Sequence, residues 1–182
     1  MRPWVAGSTP GSQSGGTTLC EVPLSPTQFA VPVEDRYFED YVPGAVFEYG
    51  QFPVTEAEIV EFARRFDPQP MHVDPEAAAQ GRFGGLIASG WHTAAMMMRL
   101  FADNVLSKVA SLASPGIDEL RWLQPVRPGD VLRIRVTVLE ATPSRSRPDR
   151  GMVRTLVEVL NQRGEAVMTL KPMNIIRRRV QP

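Results

Sequence analysis

Ala88-Ser89-Gly90-Trp91-His92-Thr93-Ala94-Ala95-Met96-Met97-Met98-Arg99-Leu100-Phe101-Ala102-Asp103-Asn104-Val105-Leu106-Ser107-Lys108-Val109-Ala110 is the segment on which the fold turns. Ala94, Ala95, Met97, Met98, Phe101, Val105 and Leu106 spread apolar surface around much of a helical circumference. A helix of that kind is buried. The segment therefore predicts one long helix over 88–110, the longest of the chain, with the rest of the fold packed around it.

Downstream the period changes. Leu132, Ile134, Val136 and Val138 alternate with Arg133, Arg135 and Thr137, the pattern of a half-buried strand. Ile117 to Leu123, Val131 to Leu139, Met152 to Leu160 and Ala166 to Ile176 read as four strands. Pro128-Gly129-Asp130 and Asn161-Gln162-Arg163-Gly164 supply turns, and Thr142 to Gly151 is a polar loop.

Upstream, Phe47 to Phe52 suits a first strand. Thr55-Glu56-Ala57-Glu58 has capping-box spacing, and Ile59, Phe62, Ala63 and Phe66 follow on one helical face. Asp67-Pro68 ends that helix, because proline disfavours helix in the residue before it. Pro68 and Pro70 make the stretch through Val73 read as a stiff turn. Asp74 then caps a short helix that has Pro75 in first position. Helices first and strands afterwards predict an α+β fold, an antiparallel sheet packed on one long helix.

Residues 1–33 read differently. Gly7 to Thr18 is nearly all small or polar and cannot bury enough surface to offset its ordering entropy. The expectation is a flexible tail over 1–33, with Trp4, Leu24 and Phe29 able to dock, and a single domain over 34–182.

Composition narrows the function. Apolar residues make up 43% and charged residues 22%, as in a globular protein. Net charge is zero, so no nucleic-acid footprint is expected, although Arg177 to Arg179 cluster. No apolar run reaches a membrane span, and the N-terminus lacks a signal-peptide pattern. Cys20 is alone, which excludes an intrachain disulfide framework and any multi-cysteine zinc site. The expected location is the cytoplasm.

Only two histidines exist, His72 and His92. Asp67 and His72 stand five apart on the proline-stiffened loop. A carboxylate and an imidazole can together orient a water and manage its protons. Gly84-Gly85 and then Gly90 follow, Gly90 at the start of the long helix, where free N–H groups can stabilise an oxyanion. The residues also fit a bland reading, with His72 a hydrogen-bonded loop residue and Asp67 a helix end. His92 reads as a packing residue, and the spacing of the two histidines does not suit a metal site. Gly-Xaa-Ser-Xaa-Gly and Gly-Xaa-Gly-Xaa-Xaa-Gly are absent, against a hydrolase-fold esterase and a dinucleotide enzyme.

The run from Val54 to Gly90 resembles the MaoC-like dehydratases, which include (R)-specific enoyl-CoA hydratases. The resemblance rests on Val54-Thr55-Glu56, Phe62-Ala63, Asp67-Pro68-Gln69-Pro70-Met71-His72-Val73-Asp74, Phe83-Gly84-Gly85-Leu86-Ile87-Ala88-Ser89-Gly90 and Pro125 to Asp130. It implies a hot-dog fold, an antiparallel sheet wrapped around the central helix. It implies reversible addition of water to a trans-2-enoyl-CoA, giving the (R)-3-hydroxyacyl-CoA. Asp67 and His72 match the catalytic pair: Asp67 takes a proton from water, while His72 positions the water and supplies the proton to the α-carbon. Gly90 matches the glycine whose N–H receives the thioester oxygen. Gln69, Met71, Phe83, Gly84, Gly85, Ser89 and Trp91 are the expected support and substrate contacts. No cofactor or metal is implied, since the thioester carbonyl is the electron sink. Gln69 stands where the family's hydratases commonly carry Asn, and Met97 and Met98 stand where some members carry a polar residue.

Two other readings stay open, a hot-dog acyl-CoA thioesterase and a non-catalytic acyl-CoA-binding protein. Thioesterases of this fold rely on an acid on the central helix, where only Asp103 is present. Open sheet edges point to a homodimer or an assembly of dimers. Arg127, Arg145, Arg147 and Arg150 are candidates for coenzyme A phosphates, weighed against a solvated surface role.

Overall fold

The chain forms one antiparallel sheet around one long helix, the hot-dog arrangement. The computed structural model describes residues 29–179; Trp4, Leu24 and the rest of the expected tail up to residue 28 lie outside the described residues. The strands are β1 (Val46–Pro53), β2 (Ser111–Trp122), β3 (Val131–Pro143), β4 (Arg150–Leu160) and β5 (Ala166–Arg177). Their spatial order is β1-β3-β4-β5-β2, with every neighbouring pair antiparallel. Between β1 and β2 the chain makes α1 (Glu56–Phe66), α2 (Pro70–Val73), α3 (Pro75–Gln80) and the long α4 (Gly90–Asn104).

The alternation read in β3 decides its inner face. Leu132, Ile134, Val136 and Val138 are buried and look onto α4, whose Met96, Met97, Leu100 and Phe101 are buried in turn. Each such side chain stabilises the fold by about 1.5–3 kcal/mol on the area scale.

α4 is shorter than the expected 88–110, because a local cap sets its start and contacts remote in sequence set its end. Ser89 caps the start, its Oγ accepting the Trp91 N–H at 3.2 Å. At the other end Arg36 donates from Nη1 to the carbonyls of Asn104 and Val105, at 2.8 and 2.9 Å. Tyr41 donates its hydroxyl to the same Val105 carbonyl at 2.7 Å. Burial pushes the Tyr41 phenol up to about 12, so it remains a donor. Arg36 also binds the Val31 carbonyl and lies over the Phe29 ring at 3.4 Å.

Three further expectations change. Phe29 stacks on Phe47 at 3.7 Å and Val33 is buried, so residues 29–33 belong to the folded unit rather than to a tail. Pro70–Val73 is a short helix rather than a turn: Pro70 occupies the first position, where its missing N–H costs nothing. β2 begins at Ser111, upstream of the expected Ile117, because β5 pairs with it through three register breaks.

Arg36→Met removes four buried or partly buried hydrogen bonds at once. It is expected to lower stability by about 3 kcal/mol in denaturant unfolding, with the far-ultraviolet spectrum retained. A change below about 0.5 kcal/mol, the range of an ordinary surface substitution, would contradict the capping role.

Candidate active site

The site is assembled at the start of α4 by three elements that end there. α1 is nucleated by its capping box: Thr55 Oγ1 accepts the Glu58 N–H, and the Glu58 carboxylate accepts the Thr55 N–H. The helix buries Ile59 and Ala63 and meets α4 through Phe62, which stacks on His92 at 4.6 Å. Asp67 is its C-cap, held by an N–H bond to the Ala63 carbonyl at 2.8 Å.

His72 sits on α2 and is buried. Its Nδ1 lies 2.8 Å from the Ile87 carbonyl. A carbonyl only accepts, so Nδ1 carries the proton and Nε2 is the ring nitrogen open to exchange. Nε2 faces Asp67 Oδ2 at 3.5 Å. That gap is too long for a good direct hydrogen bond and leaves both groups able to engage a third oxygen.

Ser89 ties this pair to α4. Its buried hydroxyl donates to Asp67 Oδ2 at 2.6 Å while accepting the Trp91 N–H. Gln69 donates from Nε2 to the other carboxylate oxygen at 2.7 Å. The Ser89 bond, then the Gln69 bond, hold the Asp67 carboxyl below its ordinary value, against a smaller opposing effect of burial; the neighbouring His72 adds to the lowering.

A cleft of about 450 Å³ opens over these groups. Of the expected residues, Asp67, Gln69, Met71, His72, Phe83, Ser89, Gly90 and Trp91 line it. Gly84 and Gly85 do not; they shape the loop, at φ of +62° and +151°, that brings Phe83 to the wall. Arg127 fixes that loop by donating to the Phe83 carbonyl at 2.6 Å. Arg150 pairs with Asp149, and Arg145 and Arg147 lie on the β3–β4 connection, outside the cleft lining. His92 is buried against Phe62, and burial lowers its pKa, so it is a neutral packing residue. Asp103 is exposed on the last turn of α4 and pairs with Arg99. Among the described residues no group of three or more His, Cys, Asp or Glu stands close enough to hold a metal ion.

Sequence reasoning missed Trp122. It donates from Nε1 to the Gly90 carbonyl at 2.9 Å and meets Trp91 edge to face at 5.4 Å. A Cβ on Gly90 would fall 2.5 Å from its ring, so only glycine fits there. Trp122 lies on a strand far from Gly90 in sequence, and no local pattern reports that approach.

The pKa shift of Asp67 has a sign. Its folded value lies below the ordinary carboxylate value of 3.8, so its contribution to stability is present above 3.8 and is lost as pH falls through the folded value. Ser89→Ala is expected to move the Asp67 carboxyl titration, followed by carbon-13 NMR, upward toward 3.8. An unchanged or lower midpoint would contradict the bond.

Comparison with known proteins places the chain in a family. The family model described as a MaoC like domain matches residues 40–161. A solved MaoC-like dehydratase from Rhodospirillum rubrum is 45% identical, with a TM-score of 0.75 over 80% of this chain and 99% of the other. The R-hydratase PhaJ1 from Pseudomonas aeruginosa is 27% identical, with a TM-score of 0.66 over 80% of this chain and 90% of its own. A 3-hydroxybutyryl-CoA dehydratase from Methylorubrum extorquens is 29% identical over 72% of this chain and 82% of its own length. The matched stretch contains the Asp67–His72 pair, the glycine at the start of α4 and the helix itself, and the chain belongs to the MaoC-like dehydratase family.

Proposed function

We propose that the chain is a cytoplasmic hydro-lyase that adds water reversibly to a trans-2-enoyl-CoA, giving the (R)-3-hydroxyacyl-CoA. The observation that carries the proposal is the pairing of an ionised carboxylate and an exchangeable imidazole Nε2, 3.5 Å apart, beside the N-terminus of α4. Two of the relatives described above are a 3-hydroxybutyryl-CoA dehydratase and an R-hydratase, which supports the same chemistry and hand.

In this reading the thioester oxygen accepts the Gly90 N–H. The end of α4 stabilises the negative charge that develops there as the enolate forms. Asp67 and His72 hold the water between them. Its oxygen bonds to C3, and its proton passes to Asp67 and on to the open Nε2 of His72, 3.5 Å away, which delivers it to C2. Over a full turnover the pair recovers its starting protonation and no electrons are exchanged. The thioester carbonyl serves as the electron sink, so the scheme uses no added cofactor or metal. The α4 residues that line the cleft are Gly90, Trp91 and Thr93, none of them acidic, which favours hydration over thioester cleavage.

The functional unit in this proposal is a homodimer. β2 is an edge strand, and Ile117 and Trp122 on it, with Trp91 and Met98 on α4, leave 43–60% of their surface exposed. Pairing two copies along that edge covers both the open backbone and the apolar side chains. Light scattering is expected to give twice the 20.2 kDa chain mass, and a monomer mass would contradict the dimer.

The catalytic test is loss of enoyl absorbance with crotonyl-CoA, with free thiol assayed in parallel. Asp67→Asn and His72→Ala are each expected to lower kcat by roughly 10²–10⁴-fold, with both proteins folded and no thiol released. Thiol release without hydration would replace the proposal by a thioesterase. Hydration unaffected by both substitutions would remove the pair from the chemistry.

A further inference from the structure

A second cavity lies further along α4. It holds about 210 Å³ and is bounded by Met97, Met98 and Phe101 of α4, Ile117 of β2, and Leu170 and Asn174 of β5. Its walls are apolar apart from a few groups, and Asn174 is the unusual one. β5 turns Leu170, Pro172, Asn174 and Ile176 inward, so Asn174 occupies a core position. Only 6% of its surface is exposed, and its side-chain amide makes no hydrogen bond to a described residue. On the neighbouring strand Val153 pairs with Asn174, and Thr155 follows on the same inward face. The Thr155 hydroxyl is buried without a partner among the described residues, but it lies outside the cavity lining. Buried polar groups are hydrogen-bonded as a rule, and an amide without a partner on the wall of an apolar cavity calls for an oxygen-bearing occupant.

The cavity is placed to receive the substrate. Thr93 lines the cleft and Met97 lines the cavity, one helical turn apart on the same face of α4. At about 1.5 Å per residue, Met97 and Phe101 stand roughly 10 and 16 Å along α4 from Gly90. An extended chain gains about 1.2 Å per bond, so roughly eight to thirteen bonds span that distance. At about 30 Å³ for each water-sized group, the cavity takes roughly seven non-hydrogen atoms.

We propose that this cavity is a specificity subsite, in which Asn174 selects acyl chains that carry a hydroxyl or keto oxygen near the end remote from the thioester. The proposal rests on the acyl-thioester reading above. The commitment is to the substrate's own tail; a side chain of a second copy entering past Met98 and Ile117, or water alone, would give a different result.

Binding separates these cases without requiring turnover. Full-length wild type and Asn174→Leu are titrated by calorimetry with decanoyl-CoA and ω-hydroxydecanoyl-CoA. Wild type is expected to bind the hydroxylated ester about fivefold more tightly, the scale of one added hydrogen bond. Asn174→Leu is expected to abolish that preference while crotonyl-CoA hydration, by a chain too short to reach the cavity, stays unchanged. Asn174→Ala repeats the comparison if leucine overfills the space. Equal affinities in wild type, binding of neither ester, or a preference that survives both substitutions would overturn the subsite. The hydratase reading fails separately, by silence toward crotonyl-CoA with the binding preference intact.

Discussion

One hydroxyl holds the site together. Ser89 has a single proton, given to Asp67, and lone pairs that accept the Trp91 N–H. The same oxygen therefore caps α4 and orients the carboxylate at the end of α1. Other contacts converge on this point. His72 is fixed through the Ile87 carbonyl, and the Ile87–Ala88 segment is stitched to Met71 on one side and Val126 on the other. A helix N-terminus, a carboxylate and an imidazole are thereby kept in one frame, which is the preorganisation that charge stabilisation in a dry site requires.

Where the sequence departs from the resemblance, the structure offers a physical answer. Gln69 has one methylene more than Asn, and that length lets its amide reach the Asp67 carboxylate. Met97 and Met98 bring no polar group to the dyad. Ser89, approaching from the cap of the same helix, supplies the donor that Asp67 needs. The methionines contribute to a second cavity instead.

The parts of the molecule legible in sequence are those decided locally. The Thr55–Glu58 capping box, the Asp74 cap that binds the N–H groups of Glu76 and Ala77, and the alternation of β3 all stand as read. Asp67 and His72 were legible as a pair because two prolines restrict the loop between them. Features decided across the fold were not. The end of α4 depends on Arg36 and Tyr41, more than sixty residues upstream. The first half of β2, with Pro115 and Gly116, has no strand pattern of its own and exists because β5 lies beside it. Trp122 reaches Gly90 only through that pairing.

The most direct test of the central claim is a crystal structure of Asp67→Asn with crotonyl-CoA bound. The thioester oxygen is predicted to lie within about 3 Å of the Gly90 nitrogen, the length of an N–H···O bond, with C2 and C3 facing Nε2 of His72. A thioester bound in the cleft but turned away from Gly90, with its double bond out of reach of residues 67 and 72, would contradict the assignment of this site.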